Sequence, residues 1–409
     1  MKSEFSSQTL EYLKETDLSY RKKFGQYFTP RTIRDELLNH IPKRQTRLKI
    51  LDPACGTGEF LLSASEHFPS AELEGWDIDP KLTKIAQDLS PNSLLLTKDS
   101  LAETPAAKYD LVIGNPPYYE FTPDKDVKKK FGNVLSGRTN IFSLFIKLGL
   151  DLLKDGGYLA YVVPPSMNNG AYFARLREYI VKNSNIEFLK ILDNTSLFND
   201  ALQMTMLLIL RKGINKGDHI FKHNGILIFS EDVRYLNSSF RGTISLLELG
   251  FSVRTGRLIW NQNKERLTDK SDEGIPLLWA HNISETGLRF PVICKKPQYV
   301  KVKTYDEGPA IIVNRITGAA KSAVIRAAIV RPKMRFIAEN HCNVIFPPKE
   351  ESQFSIDYDA NILQKGKIGL EEVCAQLRSP EKLGVMQNVT GNTQISKTEL
   401  ERLFPITIG

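Results

Sequence analysis

Asn115-Pro116-Pro117-Tyr118 places an amide, two prolines and an aromatic ring in four consecutive residues. The amide oxygen and a neighbouring backbone carbonyl can accept hydrogen bonds, the prolines hold them rigidly, and the ring can stack on a planar ligand. The tetrapeptide follows Asp110-Leu111-Val112-Ile113-Gly114, an apolar run that reads as a short buried strand. Ligands of open α/β sheets gather beyond the carboxyl ends of such strands. Asn-Pro-Pro is also an ordinary way to end a strand and begin a loop, so a second signal is needed.

That signal lies upstream. Lys49-Ile50-Leu51-Asp52 reads as a strand, and Pro53 to Leu62, with Gly56 and Gly58, as a glycine turn entering a helix. A second strand, Leu73 to Trp76, ends in Asp77-Ile78-Asp79-Pro80. An acidic residue about twenty positions beyond a glycine turn is placed to bond a ribose diol. A third strand, Ser93 to Thr97, ends in Asp99-Ser100, within reach of an adenine amino group. The third glycine that serves a dinucleotide's pyrophosphate is missing. What remains suits a nucleoside without phosphate, and S-adenosylmethionine is the candidate.

With these motifs in this order, the chain resembles the amino-methylating DNA adenine methyltransferases in their gamma arrangement. There a short N-terminal motif comes first, present here as Phe24-Gly25-Gln26-Tyr27-Phe28-Thr29-Pro30 before a helix opening at about Thr32. The glycine motif, the Asn-Pro-Pro-Tyr motif and a recognition domain follow. The resemblance runs from about residue 20 to 212 and more loosely to the C-terminus. It implies contacts to the methionine part of the cofactor from Tyr27 and Thr29, with Asp52 and Ala54 near its amino acid end. Gly56 and Gly58 form the turn, Asp77 takes the ribose hydroxyls, and Ile78 packs on the adenine. Asp99 reads the adenine amino group with Ser100 beside it, and Phe145 lines the same pocket. Asn115 and the Pro116 carbonyl would accept the amine hydrogens of a flipped-out adenine, with Pro117 stiffening the loop. Tyr118 and, by the same resemblance, Phe198 would stack on the base. RNA adenine or protein glutamine methylation through the same tetrapeptide, and a catalytically inactive DNA-binding regulator, are the alternatives. The resemblance also leaves open a separately encoded restriction endonuclease as partner.

The elements that must position these residues follow from periodicity. Residues 1–215 alternate strands and helices as a doubly wound, Rossmann-like sheet requires. After the strand at 110–114 come a polar loop, a helix from about Asn140 to Leu153 ended by Gly156-Gly157, and a strand from Tyr158 to Val163. A helix over Ala171–Lys182 precedes two strands, Ile186–Leu192 and Met204–Leu210, read as an antiparallel pair around Phe198. The apolar pattern breaks at Lys212 to Gly217, which sets a boundary after residue 215. Residues 216–409 read as a mixed α+β target-recognition domain. Within it, Trp260 and Trp279 read as core residues.

Composition agrees with a two-domain globular chain: 409 residues, 41% hydrophobic and 25% charged. No apolar stretch approaches the roughly 18 residues needed to cross a bilayer. The opening Met1-Lys2-Ser3-Glu4 lacks a signal-peptide core. The four cysteines show no metal-like spacing, so reduced thiols and no metal are expected, with Cys55 a packing residue. The expected setting is a prokaryotic cytoplasm, in association with the nucleoid and not with a membrane.

The net charge of +8 is uneven. Residues 1–215 hold 28 basic and 26 acidic side chains (+2), and residues 216–409 hold 27 and 21 (+6). Between Lys295 and Arg335, ten basic residues face two acidic ones. Double-stranded DNA is the partner such a surface suits. Arg331, Lys333 and Arg335, together with Lys128, Lys129, Lys130 and Arg138 in the loop after the catalytic motif, are the candidate phosphate contacts.

Overall fold

Short β-rich apolar runs pair into one seven-stranded sheet in the computed structural model, which describes residues 3–43, 47–137, 139–168, 170–192, 205–292, 294–315, 324–348, 368–390 and 395–408. The strands are β1 (Lys49–Asp52), β2 (Glu72–Asp77), β3 (Leu94–Thr97), β4 (Tyr109–Gly114), β5 (Leu153–Val163), β6 (Ser184–Leu192) and β7 (Thr205–Lys212). Their order is β3-β2-β1-β4-β5-β7-β6. All run parallel except β7, which is antiparallel to both of its neighbours.

The two-residue period of the strands divides the apolar side chains between two faces. Ile50, Leu111, Ile113, Ala160 and Val162 point to one side, where Ile33, Leu37, Phe60, Leu61 and Ala64 cover them. Those partners belong to α3 (Arg31–Asn39) and α4 (Glu59–His67), which follow α1 (Ser7–Glu15) and α2 (Leu18–Lys23). Leu51, Val112, Leu159, Tyr161 and Leu208 point the other way. There they meet Phe142, Phe145, Leu148, Leu176 and Ile180. The α5 helix (Pro80–Leu89) follows β2, and its sequence explains its start: Asp79 Oδ1 accepts from the Lys81 N–H at 2.8 Å, with Pro80 at the first helical position.

Two expectations change. The loop after the tetrapeptide contains a helix, α6 (Lys125–Phe131), capped by Asp124 Oδ1 on the Val127 N–H at 2.8 Å. Further on, α7 (Phe142–Leu152) passes directly into β5. Leu153 pairs with Tyr109 and Tyr158 with Leu111, so the residues around Gly156-Gly157 form an irregularity inside the strand, not a helix end. The last helix of this sheet is α8 (Ala174–Asn183).

The chain forms two compact units, residues Met1–Phe221 with Ile226–Val233, and residues Lys222–Gly225 with Arg234–Gly409. The division falls beyond residue 215 because Phe229, fully buried, packs into the core of the first unit. In the second unit, β8 (Ser252–Thr255), β10 (Ala310–Asn314), β11 (Ala327–Val330) and β13 (Cys342–Phe346) form an antiparallel sheet in the order β8-β13-β10-β11. The strands β9 (Ile275–Leu278) and β12 (Arg335–Ala338) pair in parallel inside a second, five-stranded sheet.

The N-terminal segment is fixed to the glycine turn by a buried ion pair. Arg34 and Glu59 meet at 2.7 Å with both side chains almost fully enclosed. Arg34 also donates to the Thr29 carbonyl at 2.5 Å and to Ser63 Oγ at 2.9 Å. The other Glu59 oxygen accepts from the Ser6 N–H and hydroxyl, each at 2.8 Å. Removing one partner strands the other charge inside the protein. Arg34→Met is therefore predicted to cost about 3–5 kcal/mol in urea unfolding, and adding Glu59→Leu should restore much of that loss. A single variant as stable as the parent would show that the pair is not structural.

Candidate active site

Four chain segments meet beyond the carboxyl ends of β1, β2, β3 and β4 around a cavity of about 530 Å³. Its lining includes Tyr27, Thr29, Asp52, Ala54, Gly56, Asp77, Ile78, Asp99, Ser100, Asn115, Pro117 and Phe145. Gly58 starts α4 with its backbone against Ala86, behind the lining. Sequence reasoning did not single out Phe28, Phe60, Lys98, Tyr119 or Ile141, which line the same space. Phe28 stands inside the quoted N-terminal motif and Tyr119 directly follows the tetrapeptide, so adjacency was the available signal.

Backbone hydrogen bonds shape the acidic floor. Asp52 Oδ1 accepts from the Ala54 N–H at 3.0 Å. Asp77 accepts from the Gly56 N–H and the Asp79 N–H, both at 2.9 Å, so the two ends of the glycine motif close on one carboxylate. Asp99 accepts from the Leu101 N–H at 2.9 Å, and Ser100 donates to the Pro53 carbonyl at 2.5 Å. Ser100 therefore braces the turn from behind. Burial pushes Asp77 up against the lowering effect of its backbone donors. Asp52 is pushed up to about 8, by burial first and the nearby Asp77 charge, with the Ala54 N–H opposing. Ile78 is 70% exposed, an apolar side chain held open beside Asp77. Thr29 is buried, and its hydroxyl has no hydrogen-bond partner among the described residues. Burial also pushes the Cys55 thiol well up, which suits packing and not nucleophilic attack.

Gly114 and Gly25 permit the close approaches that assemble the tetrapeptide. A Cβ on Gly114 would lie 2.7 Å from Asp52 Oδ1, and the residue has φ of 144°. Gly25, at φ of 63°, leaves no room for a side chain because a Cβ would lie 2.7 Å from the Tyr118 nitrogen. The N-terminal motif thus rests directly on the Asn-Pro-Pro-Tyr loop. Asn115 Nδ2 donates to the Tyr27 carbonyl at 2.8 Å, which fixes the amide plane. The Tyr118 hydroxyl reaches both Asn115 Oδ1 and the Val162 carbonyl, the latter at 2.7 Å. Its ring stacks on Tyr27 with centroids 5.8 Å apart and meets Phe142 edge-on at 6.3 Å. Pro116 is buried. Pro116 and Tyr118 support the cavity without lining it.

The candidate DNA contacts divide. Lys128 and Lys129 are exposed on α6. Lys130 turns inward, and its ammonium donates to the carbonyls of Leu101, at 2.7 Å, and Glu103, so it serves the loop after β3. In the second unit Arg331 and Lys333 are exposed, while Arg335 lies 3.8 Å from Glu307 and 5.0 Å from the centre of the Tyr305 ring. Phe198 and Arg138 lie outside the described residues. Among the described residues, no cluster of His, Cys, Asp and Glu could hold a metal ion, and no helix is long and apolar enough to cross a membrane.

The sheet order and the site at its carboxyl edge define the fold of the S-adenosylmethionine-dependent methyltransferases. Residues 18–198 match the Eco57I restriction-modification methylase family. The chain is 28% identical over 344 residues to the type II methyltransferase M.CvrRI of Paramecium bursaria Chlorella virus XZ-6E, covering 82% of this chain and 86% of the relative. It is 23% identical over 463 residues to M.BsuBI of Bacillus subtilis, covering 95% and 89%. Among solved structures, a class I S-adenosylmethionine-dependent methyltransferase from Listeria monocytogenes matches with TM-score 0.43 and 29% identity, over 50% of this chain and 65% of the other. The type IIG restriction endonuclease BpuSI matches with TM-score 0.42 and 16% identity, over 96% of this chain and 58% of the other. The chain thus spans about three fifths of the length of those two structures.

Asp52 gives a test of this electrostatic picture. Its folded-state value near 8 exceeds the unfolded value of about 3.9. The folded protein then holds a proton that the unfolded chain has released between those limits. The ligand-free protein should lose stability as pH rises from about 4 to about 8, and then level off as far as this group is concerned. Asp52→Asn should flatten that fall in thermal unfolding curves, leaving the smaller share due to Asp77. Identical pH profiles for the two proteins would refute the assignment.

Proposed function

We propose that the protein is a site-specific DNA adenine-N6 methyltransferase that uses S-adenosylmethionine, the modification enzyme of a restriction-modification system or a methylase acting without one. The observation that carries this reading is the Asn115 amide, fixed by the Tyr27 carbonyl at 2.8 Å beside the acidic cavity. The relatives named as type II methyltransferases support DNA as substrate. A separately encoded endonuclease and a cytoplasmic, nucleoid-associated setting belong to the same proposal.

The residues present fit the cofactor. The unpartnered Thr29 hydroxyl and the Tyr27 side chain would face its methionine part, with Asp52 and Ala54 at the amino acid end. The turn at Gly56 and Gly58 would let the backbone approach it closely. Asp77 would take the ribose hydroxyls, exposed Ile78 the adenine face, Asp99 the adenine amino group, and Phe145 the far side of the pocket. When bound, S-adenosylmethionine supplies a methyl group made electrophilic by its sulfonium.

The chain's own task is to prepare the adenine amine, whose lone pair is delocalised into the ring. Asn115 Oδ1 and the Pro116 carbonyl accept its two hydrogens, localise the lone pair and stabilise the charge that develops on nitrogen. The two prolines keep these acceptors in place, so little reorganisation remains for the reaction. The Tyr118 hydroxyl, which reaches both Asn115 Oδ1 and the Val162 carbonyl, settles on Val162 when the amine enters. A stacked base cannot reach this edge, so the adenine must leave the duplex. By resemblance, the rings of Tyr118 and Phe198 would receive it.

The reading is tested by incubating the protein with mixed-sequence duplex DNA and S-adenosylmethionine and analysing the nucleosides by mass spectrometry. N6-methyladenine is the expected product. N4-methylcytosine, or methylation of a protein glutamine with DNA unchanged, would overturn it. Asn115→Ala should lower single-turnover methyl transfer by ~100- to 1000-fold, with a far smaller effect on cofactor affinity. Asp77→Ala should weaken S-adenosylmethionine binding in calorimetry by roughly 1.5–3 kcal/mol, as for a charge-assisted hydrogen bond. Unchanged affinity would remove Asp77 from the cofactor site.

A further inference from the structure

Trp260, read from the sequence as a core residue, lies at the surface of the second unit. It is 36% exposed, whereas Trp76 and Trp279 are 1% and 2% exposed. It opens a short 3-10 turn, Trp260–Gln262, whose Asn261 and Gln262 amides are also exposed. Backbone bonds anchor the approach to the turn: the Leu258 N–H donates to the Ala338 carbonyl at 3.3 Å, and the Asn340 N–H to the Leu258 carbonyl at 2.9 Å. A Cβ on Gly256 would come within 2.0 Å of the Glu339 oxygen, so the chain is pressed against its neighbour there. Asn263 Nδ2 closes the turn on the Ile259 carbonyl at 2.9 Å.

Beneath Trp260 lies Trp279, with ring centres 6.3 Å apart and Nε1 of Trp279 held by the Pro297 carbonyl at 2.9 Å. Two exposed ammonium groups lie near the outer indole, Lys264 at 5.6 Å and Lys296 at 5.9 Å from its centre, with Lys296 also 4.6 Å from the centre of Trp279. Neither makes an ion pair with a described residue. Burying the ring would be the ordinary outcome for an indole. Holding it out on a braced turn, near two cations and beside two carboxamides, assembles groups that suit a DNA groove: an apolar face for sugars and base edges, phosphate-binding charge and amides able to bond base edges.

We infer that the turn Trp260–Gln262, with Lys264 and Lys296, is a contact element for duplex DNA. Trp260 packs against the deoxyribose and a base edge within a groove, the lysines neutralise the adjoining phosphates, and Asn261 and Gln262 reach base edges. This rests on the DNA methyltransferase reading and names a surface for it outside the catalytic unit.

Fluorescence tests it directly, because Trp260 is the one exposed indole of the three. Acrylamide suits as quencher, being uncharged and so not repelled by the DNA itself. In the full-length protein, quenching should fall when mixed-sequence duplex is added to saturation, followed in parallel by the anisotropy of labelled DNA. Trp260→Ala should weaken duplex binding by about 10- to 100-fold with S-adenosylmethionine binding unchanged, and Trp260→Phe should recover much of the loss. If duplex binds while Trp260 stays as quenchable as before, this inference is wrong and the methyltransferase reading stands. Failure to bind duplex even at low salt would remove both. Protection of Trp260 by RNA but not by duplex DNA would also overturn the assignment. Should the alanine variant misfold, the quenching of the parent protein decides alone.

Discussion

The ion pair between Arg34 and Glu59 is the constraint from which the first unit's functional edge is built. Both side chains are almost fully buried, so each charge is tolerable only because the other is 2.7 Å away. Through it, the segment before α3 is locked to the first turn of α4, and the Thr29 carbonyl is drawn in with it. The preceding residues then lie across the carboxyl edge of the sheet. Gly25 meets the Tyr118 backbone and the Tyr27 carbonyl receives the Asn115 amide. A charge pair on one side of the cavity thus sets the orientation of the polar group on the other. Thr9 and Thr57, whose hydroxyls are 2.7 Å apart, add a further tie between the N-terminal helix and the glycine turn.

The same edge collects carboxyl groups. Asp52 and Asp77 sit at the ends of adjacent strands, the first buried and the second partly so, and burial raises both, Asp52 to about 8. Lys98 lines the cavity, but its ammonium lies 3.6 Å from the centre of the Trp76 ring and 2.8 Å from Glu103. The protein thus compensates the carboxylates chiefly through backbone N–H groups, whose partial charges lower a pKa less than a full cation does. A ligand carrying positive charge is favoured in such a site, and a phosphate is disfavoured. The electrostatics reach by another route the distinction that the missing third glycine suggested.

In the second unit the linear count of charge overstates what the surface offers. Lys301 is paired with Glu273 at 2.5 Å, Arg335 lies near Glu307, and the Arg315 guanidinium donates to the Asn340 carbonyl at 2.8 Å. Asp306, one of the two acidic residues in that stretch, is itself taken by Arg257 at 3.2 Å and Arg254 at 3.6 Å, both from outside it. Exposed pairs of this kind contribute little to stability, yet they decide which cations still face solvent. Arg331, Lys333, Lys264 and Lys296 are among those that do.

Much of the first unit was legible because its information is local. Runs such as Lys49–Asp52 and Tyr109–Gly114 declare buried strands, Asp79-Pro80 declares a helix start, and glycine spacing declares a turn that a ligand can approach. Asp52, Asp77, Asp99 and Asn115 line the cavity for the same reason: each stands at or just beyond the end of a strand whose direction the sequence sets. Side-chain direction was not legible. Whether Lys130 faces solvent or a carbonyl, whether Tyr118 lines the cavity or braces it, and whether Trp260 is core or surface depend on neighbours distant in sequence. The boundary after residue 215 moved because Phe229 found its partners in the earlier core. Periodicity fixes which face of an element is apolar, but only the packing of remote segments decides what each polar or amphipathic tip can reach.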